Sequence, residues 1–287
     1  IAGGRDEATQ QPTWSSQGEL LFVSDRSGWW NLYRWRDGQA EALCPMQAEF
    51  GEPAWVFGLS SQALVGERRL ACSYTQRGRS QLAVLHLDTL QLQPIDTPFS
   101  VIGHLSAHGS RLLFRGASPL HSASVCRLDL DSGAVEVLRA GSAIAVDPGN
   151  TSVAEALCFP SADGQTAHGF FYAPCNRDFE APAGDKPPLL VLSHGGPTGQ
   201  CTDEHKAGIQ YWTSRGFAVL DVNYRGSTGY GRAYREALDG QWGVADVQDC
   251  VHGARFLVQR GDVDGARLAI RGGSAGGYTT LCALAFH

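Results

Sequence analysis

From residue 1 to about 155 the apolar positions fall into short runs separated by turn residues, and a helical rhythm is hard to find. Three segments lie over one another. Leu20-Leu21-Phe22-Val23 is followed, twelve residues after Leu20, by Leu32-Tyr33-Arg34-Trp35. Leu70-Ala71-Cys72-Ser73-Tyr74 is followed at the same distance by Leu82-Ala83-Val84-Leu85, and Leu112-Leu113-Phe114 after thirteen by Val125-Cys126-Arg127-Leu128. Asp37-Gly38 and Ser132-Gly133 supply hairpin turns. Leu20, Leu70 and Leu112 stand 50 and 42 residues apart, and a repeat of about 40–50 residues with several strands per unit is the pattern of β-propeller blades. An irregular β-sandwich is the competing arrangement. Three blades do not close a ring that needs about 4–8, so further blades are expected before residue 1.

From about residue 156 the rhythm changes. Ala167–Tyr172 reads as an edge strand, and Leu189–Leu192 and Phe217–Asn223 read as buried strands. Lys206–Arg215 reads as a helix. Val247, Cys250, Val251, Ala254, Leu257 and Val258 share one face of another, with Asp246 and Asp249 near its start complementing the helix dipole. A turn at Gly261–Gly265 leads into a last strand. Four-residue apolar strands alternating with helices predict a mostly parallel sheet covered on both faces. The chain therefore divides into residues 1–155, the C-terminal blades of a propeller, and residues 156–287, the N-terminal part of an α/β domain. Pro182–Pro188 is a surface loop within the second half.

Composition narrows the field without choosing within it. The 287 residues are 43% hydrophobic and 18% charged, as in an ordinary globular protein. Net charge is −6 with no run of Lys or Arg, which argues against a nucleic-acid partner. No apolar stretch approaches the roughly 18 residues that span a membrane. The only methionine is Met46, and no targeting segment opens the chain, so a missing true N-terminus is expected. The eight cysteines form no C-x-x-C pair; they read as free thiols in a reducing, cytoplasmic setting. The sequon Asn150-Thr151-Ser152 does not alter that reading.

The chemistry sits near the end. Leu268-Ala269-Ile270-Arg271 runs into Gly272-Gly273-Ser274-Ala275-Gly276, and an apolar helical stretch follows. Strand, G-x-S-x-G and helix in that order hold a serine on a sharp turn with its hydroxyl exposed as a nucleophile. Side chains at Gly272 and Gly276 would collide where strand and helix pack. A serine hydroxyl needs a base, and its tetrahedral intermediate needs N–H donors, one of them the backbone N–H of Ala275. The second is expected from the loop after an earlier strand, where His194-Gly195-Gly196-Pro197 follows Leu189–Ser193. The two motifs stand 78 residues apart, Gly196 to Ser274, each in the right strand context.

No histidine within the chain suits the base. His194 belongs to the glycine loop; His205 and His252 lie on or beside predicted helices. His287 is thirteen residues along the outgoing helix, nearly 20 Å away at about 1.5 Å per residue. In this fold the triad acid and base follow the serine, so both are expected beyond residue 287, and the chain alone is expected to be inactive. Tyr224–Gly231 lacks the G-K-[ST] ending of a phosphate loop and reads as a shaped loop near the active site; Tyr230 and Arg225 could line a pocket there or simply pack. This chemistry requires no cofactor and no metal.

The runs Asp221–Arg232 (DVNYRGSTGYGR), Gly272–Tyr278 (GGSAGGY) and His194–Pro197 (HGGP) resemble the prolyl oligopeptidase family of serine peptidases, in its acylaminoacyl-peptidase and dipeptidyl-aminopeptidase branch. Trp14–Trp35, with Ser24-Asp25-Arg26-Ser27-Gly28 inside it, resembles a propeller blade of that branch. The resemblance implies an α/β-hydrolase domain joined to a β-propeller that admits short peptides, and an internal fragment of a longer protein. It implies Ser274 as nucleophile and the backbone N–H groups of Gly196 and Ala275 as the oxyanion hole. Short peptides are the expected partners; no nucleic acid or membrane is expected, and homo-oligomerisation is left open. An esterase or lipase shares the elbow chemistry but has no need of the propeller-like half. An inactive propeller interaction module has no need of an intact elbow.

Overall fold

The computed structural model describes residues 1–143 and 146–287, and the chain forms two compact units. The first comprises Ile1–Ala143 together with Gly229–Arg232; the second comprises the other described residues.

In the first unit, β1 (Thr9–Trp14), β2 (Leu20–Ser24), β3 (Asn31–Arg36) and β4 (Gln39–Ala42) form one four-stranded antiparallel sheet in chain order. The strands β5 (Gln62–Val65), β6 (Arg69–Gln76), β7 (Arg79–His86) and β8 (Leu92–Ile95) form a second. The third is built from β9 (Val101–His108), β10 (Arg111–Ser118), β11 (His121–Asp129) and β12 (Val135–Ala140). The three superposed leucines hold one place in the repeat, the second strand of each sheet. Leu20 opposes Trp35, Leu70 opposes Leu85, and Leu112 opposes Leu128. Asp37-Gly38 and Arg77-Gly78, with φ of 51°, 81°, 52° and 77°, are two-residue hairpin turns whose twist suits the flanking strands.

Burial explains why the runs look continuous. In β6, Leu70, Cys72 and Tyr74 pack with the first sheet's Leu21, Val23 and Leu32, whereas Ala71 packs with the third sheet's Leu112 and Phe114. The middle sheet is buried on both faces, so alternation by polarity disappears and successive residues are all apolar. Among the described residues the three sheets do not close into a ring.

The second unit holds a five-stranded sheet in the order β13 (Glu155–Pro160), β14 (Thr166–Tyr172), β16 (Ala218–Asn223), β15 (Leu189–Ser193) and β17 (Leu268–Gly272). Two expectations change here. Ala167–Tyr172 is an interior strand, not an edge, because β13 pairs outside it. Its residues serve both faces: Phe171 joins one core, Phe170 and Tyr172 the other. The sheet is also mixed rather than mostly parallel, since β13–β14 and β14–β16 are antiparallel while β16–β15 and β15–β17 are parallel. The sequence-derived boundary at 155/156 falls one residue inside β13.

Helices α1 (Ala207–Thr213), α2 (Arg232–Glu236), α3 (Ala245–Arg260) and α4 (Ala275–Phe286) complete the unit, apart from Arg232, which groups with the first. Ile209 of α1 packs with Leu190 and Val219 on one face of the sheet, and Ala254 and Leu257 of α3 pack with Val191, Leu220 and Val222 on the other. Gly261 stops α3 in the left-handed conformation (φ 89°), its N–H donating to the Leu257 and Val258 carbonyls. No helix of the described residues is long and apolar enough to cross a membrane.

Candidate active site

Strands β15 and β17 are parallel neighbours, with Ser193 opposite Gly272, so the loops that leave their carboxyl ends meet. The β17 loop is the elbow. Ser274 has φ 55° and ψ −122°, a conformation that costs a residue with a Cβ about 1–3 kcal/mol. Close packing maintains it. A Cβ on Gly276 would fall 2.1 Å from the Ser193 carbonyl oxygen, and one on Gly272 would fall 2.3 Å from the Gly276 carbonyl oxygen. Both glycines are therefore required by backbone contact. The Ser193 hydroxyl adds a hydrogen bond to the Gly276 carbonyl at 2.9 Å.

Ser274 is exposed, and Ala275 behind it is buried at the first position of α4. The next N–H groups are already used: Gly276 donates to Gly273 O at 3.0 Å, and Gly277 to Ser274 O at 3.0 Å. The first N–H groups of a helix lack an acceptor within the helix.

The β15 loop lies against the elbow. A Cβ on Gly195 would stand 3.3 Å from the Ser274 Cβ. Gly196 has φ 57° and accepts from the Gly199 N–H at 2.7 Å, which turns the loop back on itself. The His194 ring stacks on Tyr224, with centroids 4.3 Å apart and planes 14° apart. Its Nδ1 lies 3.0 Å from the Gly195 carbonyl oxygen and its Nε2 lies 2.8 Å from Ser227 Oγ. Burial pushes the His194 pKa down from its ordinary value, and nearby Lys206 adds to this while Asp221 opposes it. Burial likewise raises the Tyr224 phenol, which stays protonated and donates to the His194 carbonyl at 3.0 Å.

The Tyr224–Gly231 loop was expected near this site, and Tyr224 and Ser227 do reach it. Arg225 is buried and anchors the loop to α3. Its N–H donates to Asp249 Oδ2 at 2.7 Å, and its Nε lies 3.0 Å from Asp249 Oδ1. The Ser161 hydroxyl donates to the same carboxylate. Asp249, buried at 0% exposure, thus serves as an internal anchor. Asp246 is equally buried and accepts from the Gly243 N–H at 2.7 Å and from the Thr279 hydroxyl of α4. Tyr230 falls in the Gly229–Arg232 segment that groups with the first unit. Ser227 and Asp249 were missed as functional positions because serine in a loop and aspartate on a helix face carry no signal of their own.

Of the described histidines, none hydrogen-bonds the Ser274 hydroxyl; His194 is directed to Gly195 and Ser227, and His252 to the Gln248 carbonyl. The described residues hold no cluster of three or more His, Cys, Asp or Glu side chains fit for a metal ion.

The sequence profile of the prolyl oligopeptidase family matches residues 204–287, the stretch that runs from α1 through the elbow. That segment is similar to the prolyl oligopeptidase family. Dipeptidyl aminopeptidase BIII of Pseudoxanthomonas mexicana is 37% identical over 131 residues, 44% of this chain and 19% of that protein. Acylamino-acid-releasing enzyme 1 of Oryza sativa subsp. japonica is 36% identical over 93 residues, 32% of this chain and 12% of that protein. Among solved structures, a puromycin-hydrolysing peptidase of Mycobacterium tuberculosis superposes on 100% of this chain with a TM-score of 0.97 and 41% identity. The chain spans 45% of that structure's length. The likeness to that solved structure therefore extends through both units of the chain.

Proposed function

We propose that the full-length protein is a serine peptidase that cleaves short peptides through an acyl-enzyme, with Ser274 as nucleophile. The observation that carries this is the exposed Ser274, held at φ 55° and ψ −122° between β17 and α4. The hydroxyl attacks the scissile carbonyl, a base takes its proton, and the amine leaves with a proton returned from that base. The N–H groups of Ala275 and Gly196 stabilise the oxyanion of the tetrahedral intermediate. In this reading the second unit is the first part of an α/β-hydrolase domain, and the three sheets of the first unit are propeller blades.

The triad acid and base are assigned outside residues 1–287, since the described histidines near the elbow are committed elsewhere. Leu281, Leu284 and Phe286 on α4 are exposed, apolar surface that a further layer of the sheet domain would cover. The chain alone is expected to show no turnover. Given relatives named for acylamino-acid release, dipeptidyl aminopeptidase activity and puromycin hydrolysis, the substrates are aminoacyl or peptidyl amides cut close to their N-terminus. A reducing, cytoplasmic setting belongs to the same proposal, on eight unpaired cysteines. The test is labelling of the full-length protein by a fluorophosphonate serine probe. Ser274→Ala is expected to abolish labelling together with aminoacyl-naphthylamide hydrolysis; persistence of both would place the nucleophile elsewhere.

A further inference from the structure

The surroundings of His194 determine where its proton lies. Next to Nδ1 are two oxygens. The Gly195 carbonyl, at 3.0 Å, can only accept. The Tyr224 hydroxyl, at 3.3 Å, gives its own proton to the His194 carbonyl and so presents a lone pair. Nδ1 must therefore carry hydrogen. Next to Nε2 is the Ser227 hydroxyl, fully buried and 2.8 Å away, which is free to donate. A neutral ring protonated at Nδ1 satisfies every one of these groups. The lowered pKa of His194, which results first from burial, agrees with a neutral ring.

This matters because of what Nδ1 holds. The Gly195 carbonyl and the Gly196 N–H belong to one planar amide, and no cis peptide bond occurs among the described residues. In a trans amide the C=O and N–H point in opposite directions. A carbonyl drawn to the imidazole therefore sends the Gly196 N–H away from it.

We propose that His194 is a positioning residue: as the neutral Nδ1–H tautomer, with Ser227 donating to its bare Nε2, it grips the Gly195 carbonyl and aims the Gly196 N–H at the oxyanion. Tyr224 supports the ring by stacking, and the Arg225–Asp249 pair anchors the loop that carries both Tyr224 and Ser227. The inference rests on the reading of Gly196 as an oxyanion donor, but the tautomer and its coupling to the peptide plane can be measured without turnover.

The experiment is NMR on the full-length protein labelled with 15N histidine and glycine, using two-bond proton–nitrogen couplings, with His194→Gln to assign the ring. The expected result is a protonated, pyrrole-like Nδ1 and a bare, pyridine-like Nε2, retained over the pH range in which exposed histidines titrate. A wild-type ring protonated at Nε2 would overturn the proposal outright, with no variant needed. Ser227→Ala leaves Nε2 without its donor and should weaken the Nδ1–H preference and shift the Gly196 amide resonance, and Ser227→Thr should restore both. A Gly196 amide that stays put while the tautomer is lost would also overturn it. In the full-length protein, Ser227→Ala should lower kcat about tenfold with little change in KM, a fraction of the roughly 10²–10³ lost when an oxyanion donor is removed; an unchanged kcat counts against the role. Failure of the parent reading shows separately, as hydrolysis and labelling that survive Ser274→Ala while the tautomer is as expected.

Discussion

Gly195 and Ser274 meet so closely that a Cβ on Gly195 would stand 3.3 Å from the Ser274 Cβ and 3.1 Å from the Gly273 carbonyl oxygen. They are 79 residues apart in sequence. Their strands are parallel neighbours in register, Ser193 beside Gly272, so the two loops leave the sheet at the same level. The glycine at 195 therefore acts as a spacer that lets one loop lie on the other.

Gly195→Ala tests that spacing. A methyl group there forces the loops apart by a few tenths of an ångström. Overpacking of this kind costs about 1–3 kcal/mol. In the full-length protein, fluorophosphonate labelling of Ser274 is expected to slow by about tenfold or more, because small misplacements at reacting centres weigh heavily on rate. Labelling kinetics and urea unfolding on the same variant separate the two effects.

Ser274→Gly removes the Cβ from a backbone that disfavours one. The variant is expected to gain about 1 kcal/mol in stability while losing all labelling. An upward shift of the urea midpoint checks the first part. A downward shift would show that the elbow is unstrained.

Asp249→Ala removes the anchor of the 224–231 loop and leaves Arg225 buried without its partner. Arg225 and Asp249 side chains are 10% and 0% exposed. Breaking such a pair from one side costs about 3–5 kcal/mol. Urea unfolding should register that loss, and the His194 ring should lose its single tautomer even under folding conditions.

His168 gives the fold an acid-sensitive term. It lies in β14 beside Tyr234, with ring centroids 5.3 Å apart, and burial pushes its pKa from the ordinary 6.5 down to about 4. Between those two values the unfolded chain binds a proton that the folded chain refuses, so stability rises with pH across the window. The contribution is fully present above about pH 6.5 and is lost as pH falls to about 4, by up to about 3 kcal/mol. His168→Gln should flatten this part of the stability–pH curve. An unchanged slope would mean that His168 titrates normally.

Much of the chain was legible from local pattern. The superposed leucines at 20, 70 and 112 each fall on the second strand of a four-stranded sheet, because strand periodicity and turn glycines are local properties. The elbow and the glycine loop were legible for a similar reason: contact distances near 2 Å leave no choice of residue at 272 and 276. The position of Ala167–Tyr172 in its sheet was not legible. An edge strand and an interior strand can share one pattern, and only the pairing of β13 outside β14 distinguishes them.

By itself, then, the sequence determined the repeated strands, the sharp turn at Ser274 and the glycine loop at 194–197, since each depends on backbone sterics and short-range periodicity. Tertiary structure alone decided which groups surround them. Ser227 became a partner of His194, and Asp249 an anchor for Arg225, only when chain segments 33 and 24 residues apart were brought within hydrogen-bond distance. A hydroxyl or a carboxylate has no fixed role until the fold removes water from around it and supplies one partner in its place.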